Sequence, residues 1–252
     1  MSPISRKRNC WASYRGDCSD DISDEHLLSK SLFPEKIVYV SGFEWCKAGP
    51  KRVGINSLVR KILCVKHNNA LSEIDNEAVA ALRLFRYDEA FQADERGNLL
   101  NRINGIRFER WLLKTAINLS VNGDRHIGVG MTGSEIGRPS PYLVEVAFNS
   151  IQFSHGLGVY FLHPDGYYPY IPGEILLMPI VKDDLIGGYY FGLRGQPVFL
   201  NLLPGTSPAY MYELGDLPLP KELKMARLEY RPAKLATVFQ DGRLSMVKFD
   251  WA

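Results

Sequence analysis

Cys64-Val65-Lys66-His67-Asn68-Asn69 sets two metal-binding side chains two residues apart and follows them at once with two amides. Cys-x2-His is the spacing of a knuckle, which gives two ligands to one ion from a tight turn entering a helix. A structural zinc needs two more. All four cysteines (Cys10, Cys18, Cys46 and Cys64) fall in the first 64 residues and none in the remaining 188, which argues for one local purpose. The expected set is Cys10, Cys18, Cys64 and His67, although the seven residues between Cys10 and Cys18 exceed the usual ligand spacing. A set that includes Cys46 is the alternative.

A second stretch bears on the first. Asp24-Glu25-His26 places a histidine directly after two carboxylates. A near-neutral imidazole can take a proton from water. A neighbouring carboxylate can hold a divalent cation against developing negative charge. An isolated Glu-His pair is ordinary surface. Ahead of a metal knuckle whose next residue is Asn68, a further oxygen ligand, it reads as chemistry.

Bulk properties narrow the field. The chain has 252 residues, 46% hydrophobic and 23% charged, which is ordinary for a globular protein with a sizeable core. Net charge is only +2, but residues 1–72 carry twelve Lys/Arg against seven Asp/Glu. A basic end beside a slightly acidic remainder fits a polyanion partner, with a solvated face as the plain alternative. No apolar run approaches the roughly 18 residues that cross a membrane. The opening Met-Ser-Pro-Ile-Ser-Arg-Lys-Arg has no apolar segment behind it, so it is not read as a signal peptide. The expected location is cytoplasmic, where cysteines serve as metal ligands or buried thiols more often than as disulfides.

In chain order, a polar irregular start leads to a short element at Leu27–Phe33. Lys36–Val40 reads as a strand from its β-branched content. Ser41–Gly54 reads as largely loop, and Asn56–Leu63 as either strand or helix. A helix begins at Leu71 with acidic residues in its first turns, and a second, better patterned, spans Ile106–Leu119. The intervening Phe91–Asn104 is polar and turn-rich. From about Ile127, short apolar runs alternate with turn residues: Tyr142–Phe148, Gly158–Phe161, Ile175–Ile180, Gly188–Leu193, Pro197–Leu203, Ala209–Tyr212, Ala233–Phe239 and Met246–Phe249. That rhythm predicts an antiparallel sandwich or open barrel.

On these residues the chain resembles the HNH endonuclease family. Ser23-Asp24-Glu25-His26-Leu27-Leu28 is similar to the family's strand of acidic residue then histidine, and Cys64-x2-His67-Asn68 to the segment opening its last helix. His67 stands where the family has a second cysteine. The 38 residues from His26 to Cys64 mean that the hairpin carries a long insertion. The likeness covers roughly residues 8–85. It implies a zinc-stapled ββα-metal fold and hydrolysis of DNA phosphodiesters. His26 would be the general base, Asn56 the residue orienting it, and Glu25 with Asn68 the ligands of a catalytic Mg2+ or Mn2+. Asn69 could stand in for Asn68, and Ser72 could reach the metal through water. The family's habits also suggest an effector in antiviral defence or phage conflict.

The expected architecture is therefore α+β: an HNH-like module over 1–85, a helical connector over 86–125 and an antiparallel β-rich domain over 126–252. The last would choose the target, self-associate or bind a partner protein. The competing reading is a non-catalytic zinc-stabilised module that binds DNA or protein. Other chemistry finds little support. No Gly-x-Ser-x-Gly elbow exists. Gly128–Gly133 matches a phosphate-loop spacing only by composition. His126, His155 and His163 read as turn or satisfied polar residues. The aromatic runs Gly166–Tyr170 and Gly188–Phe191 read as packing before base stacking.

Overall fold

The computed structural model describes residues 9–32, 37–41, 46, 51–85, 101–128, 135–163, 174–193, 195–205, 226–238 and 244–252. Strand β1 (Ile22–His26) and strand β4 (Val59–Cys64) pair antiparallel, with Ile22 opposite Cys64 and His26 opposite Val59, and a bulge between Ser23 and Glu25. Helices α1 (Val65–Ala70) and α2 (Ser72–Leu84) follow β4 directly. Within the hairpin's long insertion, β2 (Ile37–Ser41) and β3 (Lys51–Gly54) form a second antiparallel pair. The β-branched run at Ile37–Val40 accounts for β2. The expected loop over Ser41–Gly54 thus ends in a strand. The ambiguous Asn56–Leu63 resolves into a 3-10 turn at Ile55–Ser57 followed by β4. The element expected at Leu27–Phe33 is a single 3-10 turn, Lys30–Leu32, and Phe33 lies outside the described residues.

Helix α2 starts as its sequence suggests. Glu73 and Asp75 sit in the first turn, and Ile74, Ala78, Ala81 and Leu82 are the buried face. Only the end of the turn-rich Phe91–Asn104 stretch is described, and it is strand β5 (Asn101–Asn104). Helix α3 (Gly105–Ser120) is capped by Asn104, whose side chain accepts from the Arg107 N–H at 2.9 Å. Fourteen of its sixteen residues are buried, Glu109, Lys114 and Asn118 among them. A helix buried nearly all round runs through the middle of a fold. Every polar group on it must therefore find an internal partner.

Tyr142–Phe148 was expected as a strand and is instead α4 (Pro141–Ala147). Ser140 caps it and Pro141 occupies its first turn, the two strongest local helix starts. Its buried residues Leu143, Val144, Val146 and Ala147 follow helical spacing, not alternation. The strands that follow, after the short β6 (His126–Ile127), are β7 (Gly158–His163), β8 (Glu174–Lys182), β9 (Leu185–Leu193), β10 (Gln196–Asn201), β11 (Arg227–Tyr230), β12 (Lys234–Val238) and β13 (Leu244–Asp250). The expected Ala209–Tyr212 strand, the Gly166–Tyr170 aromatics and all of Gly128–Gly133 but its first glycine lie outside the described residues.

These strands do not close into a self-contained antiparallel sandwich or barrel. They build one mixed sheet in the order β11-β7-β10-β9-β8-β2-β3, with β6 beside β9. β2 joins β8 in parallel, Val40 opposite Ile175. A small sheet, β12-β13-β5, also contains a parallel pair. Two strands from the N-terminal third thus extend the C-terminal sheet. One continuous hydrophobic cluster runs from Cys10 to Phe249 through α2, α3 and α4. The three sequence segments share this core, and a smaller cluster around Tyr160, Met178 and Tyr190 lies apart from it.

Glu109 shows how α3 settles its buried charge. Its carboxylate accepts from the Val159 N–H at 2.9 Å and takes the Arg231 guanidinium at 3.0 and 2.7 Å. A side chain at Gly158 would run into that carboxylate. Arg231 also lies over the Tyr230 and Trp251 rings. Replacing Arg231 by Leu strands a carboxylate that is 2% exposed and is expected to cost about 3–5 kcal/mol. Glu109→Gln, which removes the buried charge itself, should cost less. Urea denaturation of the two variants measures the difference.

Candidate metal centre

Three cysteines and one histidine converge where β4 passes into α1. Cys64 is the last residue of the strand and His67 lies in the first turn of the helix. Cys10 precedes the 3-10 turn Ser13–Arg15, and Cys18 follows it. The His67 Nδ1 atom lies 3.3 Å from the Cys10 sulfur, 3.3 Å from that of Cys64 and 3.7 Å from that of Cys18. All four ligand atoms fall within 4.8 Å of one another. A tetrahedral zinc with three sulfurs and one imidazole has edges of about 3.5–3.8 Å, so the donor set fits that ion in size and kind. Cys46 is buried but is not in this group, which decides between the two ligand sets left open by the sequence.

The surroundings prepare the imidazole. His67 is 2% exposed, and its Nε2–H donates to Asp17 Oδ1 at 2.8 Å. That hydrogen bond fixes the tautomer and turns the Nδ1 lone pair toward the sulfurs, as the outer partner of a metal-bound histidine does. Lys66 Nζ donates to the other oxygen of Asp17 at 2.6 Å. The bond from Lys66 first, then that from His67, hold the Asp17 carboxyl down at about 2. It therefore stays ionised and accepting at any pH where thiolates bind a metal. Burial pushes the Cys10 thiol up to about 12 and raises Cys18 too. Cys64 goes the other way: burial raises it, but hydrogen bonds from the His67 main chain and from Ser19 outweigh burial and lower it. Cys10 and Cys18 beside it resist ionising unaided. A divalent cation among them removes that obstacle. Phe148 closes the site with its ring edge to His67 at 5.2 Å.

The Asp24-Glu25-His26 strand is arranged differently from the sequence expectation. Asp24 is exposed, Glu25 is buried and His26 is half-buried. Glu25 Oε1 accepts from Lys114 Nζ at 2.9 Å and from Asn118 Nδ2 at 3.2 Å, both on α3. Lys114 in turn contacts both oxygens of Asp75 at 3.1 and 3.0 Å. Burial alone would lower its pKa, but Glu25 and Asp75 outweigh it and the net shift is upward. The ammonium thus stands against the carboxylate that was expected to hold a catalytic cation. The physical reason is strand alternation: Glu25 turns inward, and an inward carboxylate needs a buried partner.

The remaining expected site residues are scattered. Asn68 is half-buried on α1, and Asn69 on the same helix is exposed. Ser72 donates to the Asn69 carbonyl at 2.8 Å, as a helix-start bond. Asn56 is exposed in the turn before β4. Among the described residues no second group of three His, Cys, Asp or Glu side chains gathers as the zinc set does. These residues do not form a Mg2+ or Mn2+ site as they stand. His26 Nε2 is shielded from solvent and has no hydrogen-bond partner. Directly after it, Leu27 and Leu28 enter the wall of a cavity of about 300 Å3 shared with Ser57, Leu58, Arg60 and Leu119. Arg60 pairs opposite Glu25, and Arg52, Arg60, Lys61 and Lys66 are exposed on or beside β3, β4 and α1.

Sequence reasoning missed Asp17, Asp75, Lys114 and Asn118. The last two had a visible signal. They follow Trp111 by three and seven residues, so they occupy core positions of an apolar helix face, where a polar side chain requires a partner.

Comparisons with protein-family models, with curated proteins and with solved structures found no match. Function therefore rests on the site. Asp17→Ala should weaken zinc binding by about 10–100-fold in competition with a chromophoric chelator. Cys46→Ser should leave it unchanged.

Proposed function

We propose that the chain is a metal-stapled nuclease that hydrolyses phosphodiesters of DNA, working from its N-terminal hairpin and helix. One observation carries this reading. β1, β4 and α1 form a β-hairpin running straight into a helix, with a Cys3His centre at the junction and His26 at the far end of β1. The order matches the ββα-metal resemblance, with the β2–β3 pair as the insertion. In this reading the zinc holds the hairpin to the helix and takes no part in bond cleavage. His26, half-buried at the end of β1, takes the proton of the attacking water. Arg52, Arg60, Lys61 and Lys66, all exposed, supply the positive surface along which a phosphate backbone lies. A Mg2+ or Mn2+ requirement belongs to the same family reading. Glu25 as it stands does not fit that ion, so no step is assigned to the ion.

A second reading has a specific observation in its favour. Lys114 and Asn118 occupy the Glu25 carboxylate, which suits a zinc-stabilised module that binds DNA without cutting it. The two differ in one experiment. Supercoiled plasmid incubated with the zinc-loaded protein and added Mg2+ or Mn2+ should be nicked. His26→Ala should reduce nicking by a factor of about 100 or more and leave the zinc content and DNA affinity unchanged. DNA retention with no cleavage under any divalent ion establishes the binding module instead.

A further inference from the structure

Asn118 lies on α3, 0% exposed, and its side-chain amide is fully engaged. Its Oδ1 accepts from Trp11 Nε1 at 3.0 Å. Its Nδ2 donates to Glu25 Oε1 at 3.2 Å and faces the His26 carbonyl at 3.5 Å. These partners fix which way the amide points. An indole N–H only donates, so the oxygen must face Trp11. A carboxylate and a carbonyl only accept, so the nitrogen must face β1. Trp11 directly follows the metal ligand Cys10, and its own N–H is satisfied only through this amide. Lys114, one helical turn earlier on the same face, holds the other donor place on Glu25 Oε1. The zinc corner of the molecule and the strand that carries His26 therefore meet on one side chain.

We propose that Asn118 is a positioning residue: it fixes the backbone at His26 and links that position to the zinc centre through Trp11. This rests on the reading of His26 as the base. Asparagine suits the place because its planar amide offers an acceptor to Trp11 and a donor to β1 at once. An aspartate would set a second negative charge against Glu25. A leucine would leave Trp11 Nε1 and the β1 acceptors without a partner. His26 itself touches solvent and has no side-chain partner to hold its ring. Its location is thus set by its main chain.

The test uses the full zinc-loaded chain carrying histidines labelled at Cε1, read by NMR beside plasmid cleavage. His26→Ala assigns the His26 signal. Asn118→Ala should shift that signal and leave those of His126, His155 and His163 in place. It should also lower kcat by about 100-fold with KM within two-fold, as expected for a misplaced reacting group, at unchanged zinc content. Trp11→Phe, which keeps a ring in the core and removes only the N–H, should shift the same signal by less. It carries the test if Asn118→Ala fails to fold. A folded variant with the His26 signal and kcat unchanged overturns the proposal. So does a variant in which all the histidine signals move together, since that reports loosened packing. If the wild-type chain cuts no DNA, the nuclease reading falls. The selective response of the His26 signal then still decides whether Asn118 positions it.

Discussion

A buried ammonium joins three distant segments of the fold. Lys114 is 3% exposed, reaches Glu25 on β1 and Asp75 on α2, and sits on the helix at the centre of the core. Its three charges come from segments far apart in the chain. A lysine in that position would lose its proton without the two carboxylates. Together they satisfy one another only when β1, α2 and α3 are all in place. Ser29 closes the group, donating to Asp75 and accepting from Trp111 Nε1 at 3.0 Å. A cluster of this kind adds little net stability over a well-packed apolar core, but it admits few wrong arrangements. It therefore specifies where β1 lies more than it stabilises the fold.

The metal centre does complementary work at the other end of the hairpin. A two-stranded sheet is marginal in water, and among the described residues β1–β4 has only that one pairing. Its Cys64 end is tied by the Cys3His set, which also captures the irregular segment from Cys10 to Cys18. Its Glu25 end is tied by Lys114 and Asn118. Between the ties, Ser23 donates to the Leu63 carbonyl at 3.0 Å and the Trp11 N–H to that of Ile62 at 2.9 Å. A hairpin held at both ends keeps its register, so the strand face presented to solvent is fixed as well.

The Cys3His set was legible because its chemistry is scarce: few residue types bind such a metal, and Cys64-x2-His67 has a short, recognisable spacing. Helices α2 and α3 were legible from their period, and α2 also from the acidic residues in its first turn. Tyr142–Phe148 was misread because a short apolar run carries no clear period, and the deciding residues, Ser140 and Pro141, lie just before it. The union of β2 with β8 could not be seen at all. It is a parallel pairing between segments more than 130 residues apart, and no local pattern encodes it. Glu25 was read as a ligand because a carboxylate beside a histidine looks the same whether it faces water or the core. Its direction depends on the bulge at Ser23/Glu25 and on a lysine 89 residues later.

That last case bears on how the site is built. An insertion in a hairpin usually projects into solvent, where it can vary freely. Here it does not. Val38 and Val40 of the inserted β2 are buried in the common core, and the strand extends a sheet in which β7 to β11 all follow α4. The hairpin is tied to α3 through Glu25, and the cavity beside Leu27 and Leu28 is lined also by Val40, Val53 and Leu177 of the large sheet. A stand-alone ββα unit would need its zinc to define its shape. Here the hairpin and helix pack into the common core, and a metal on the Cys3His set would fix the junction of β4 and α1. The residues that must be exact are then those where the two supports meet on β1, and they are Glu25 and His26.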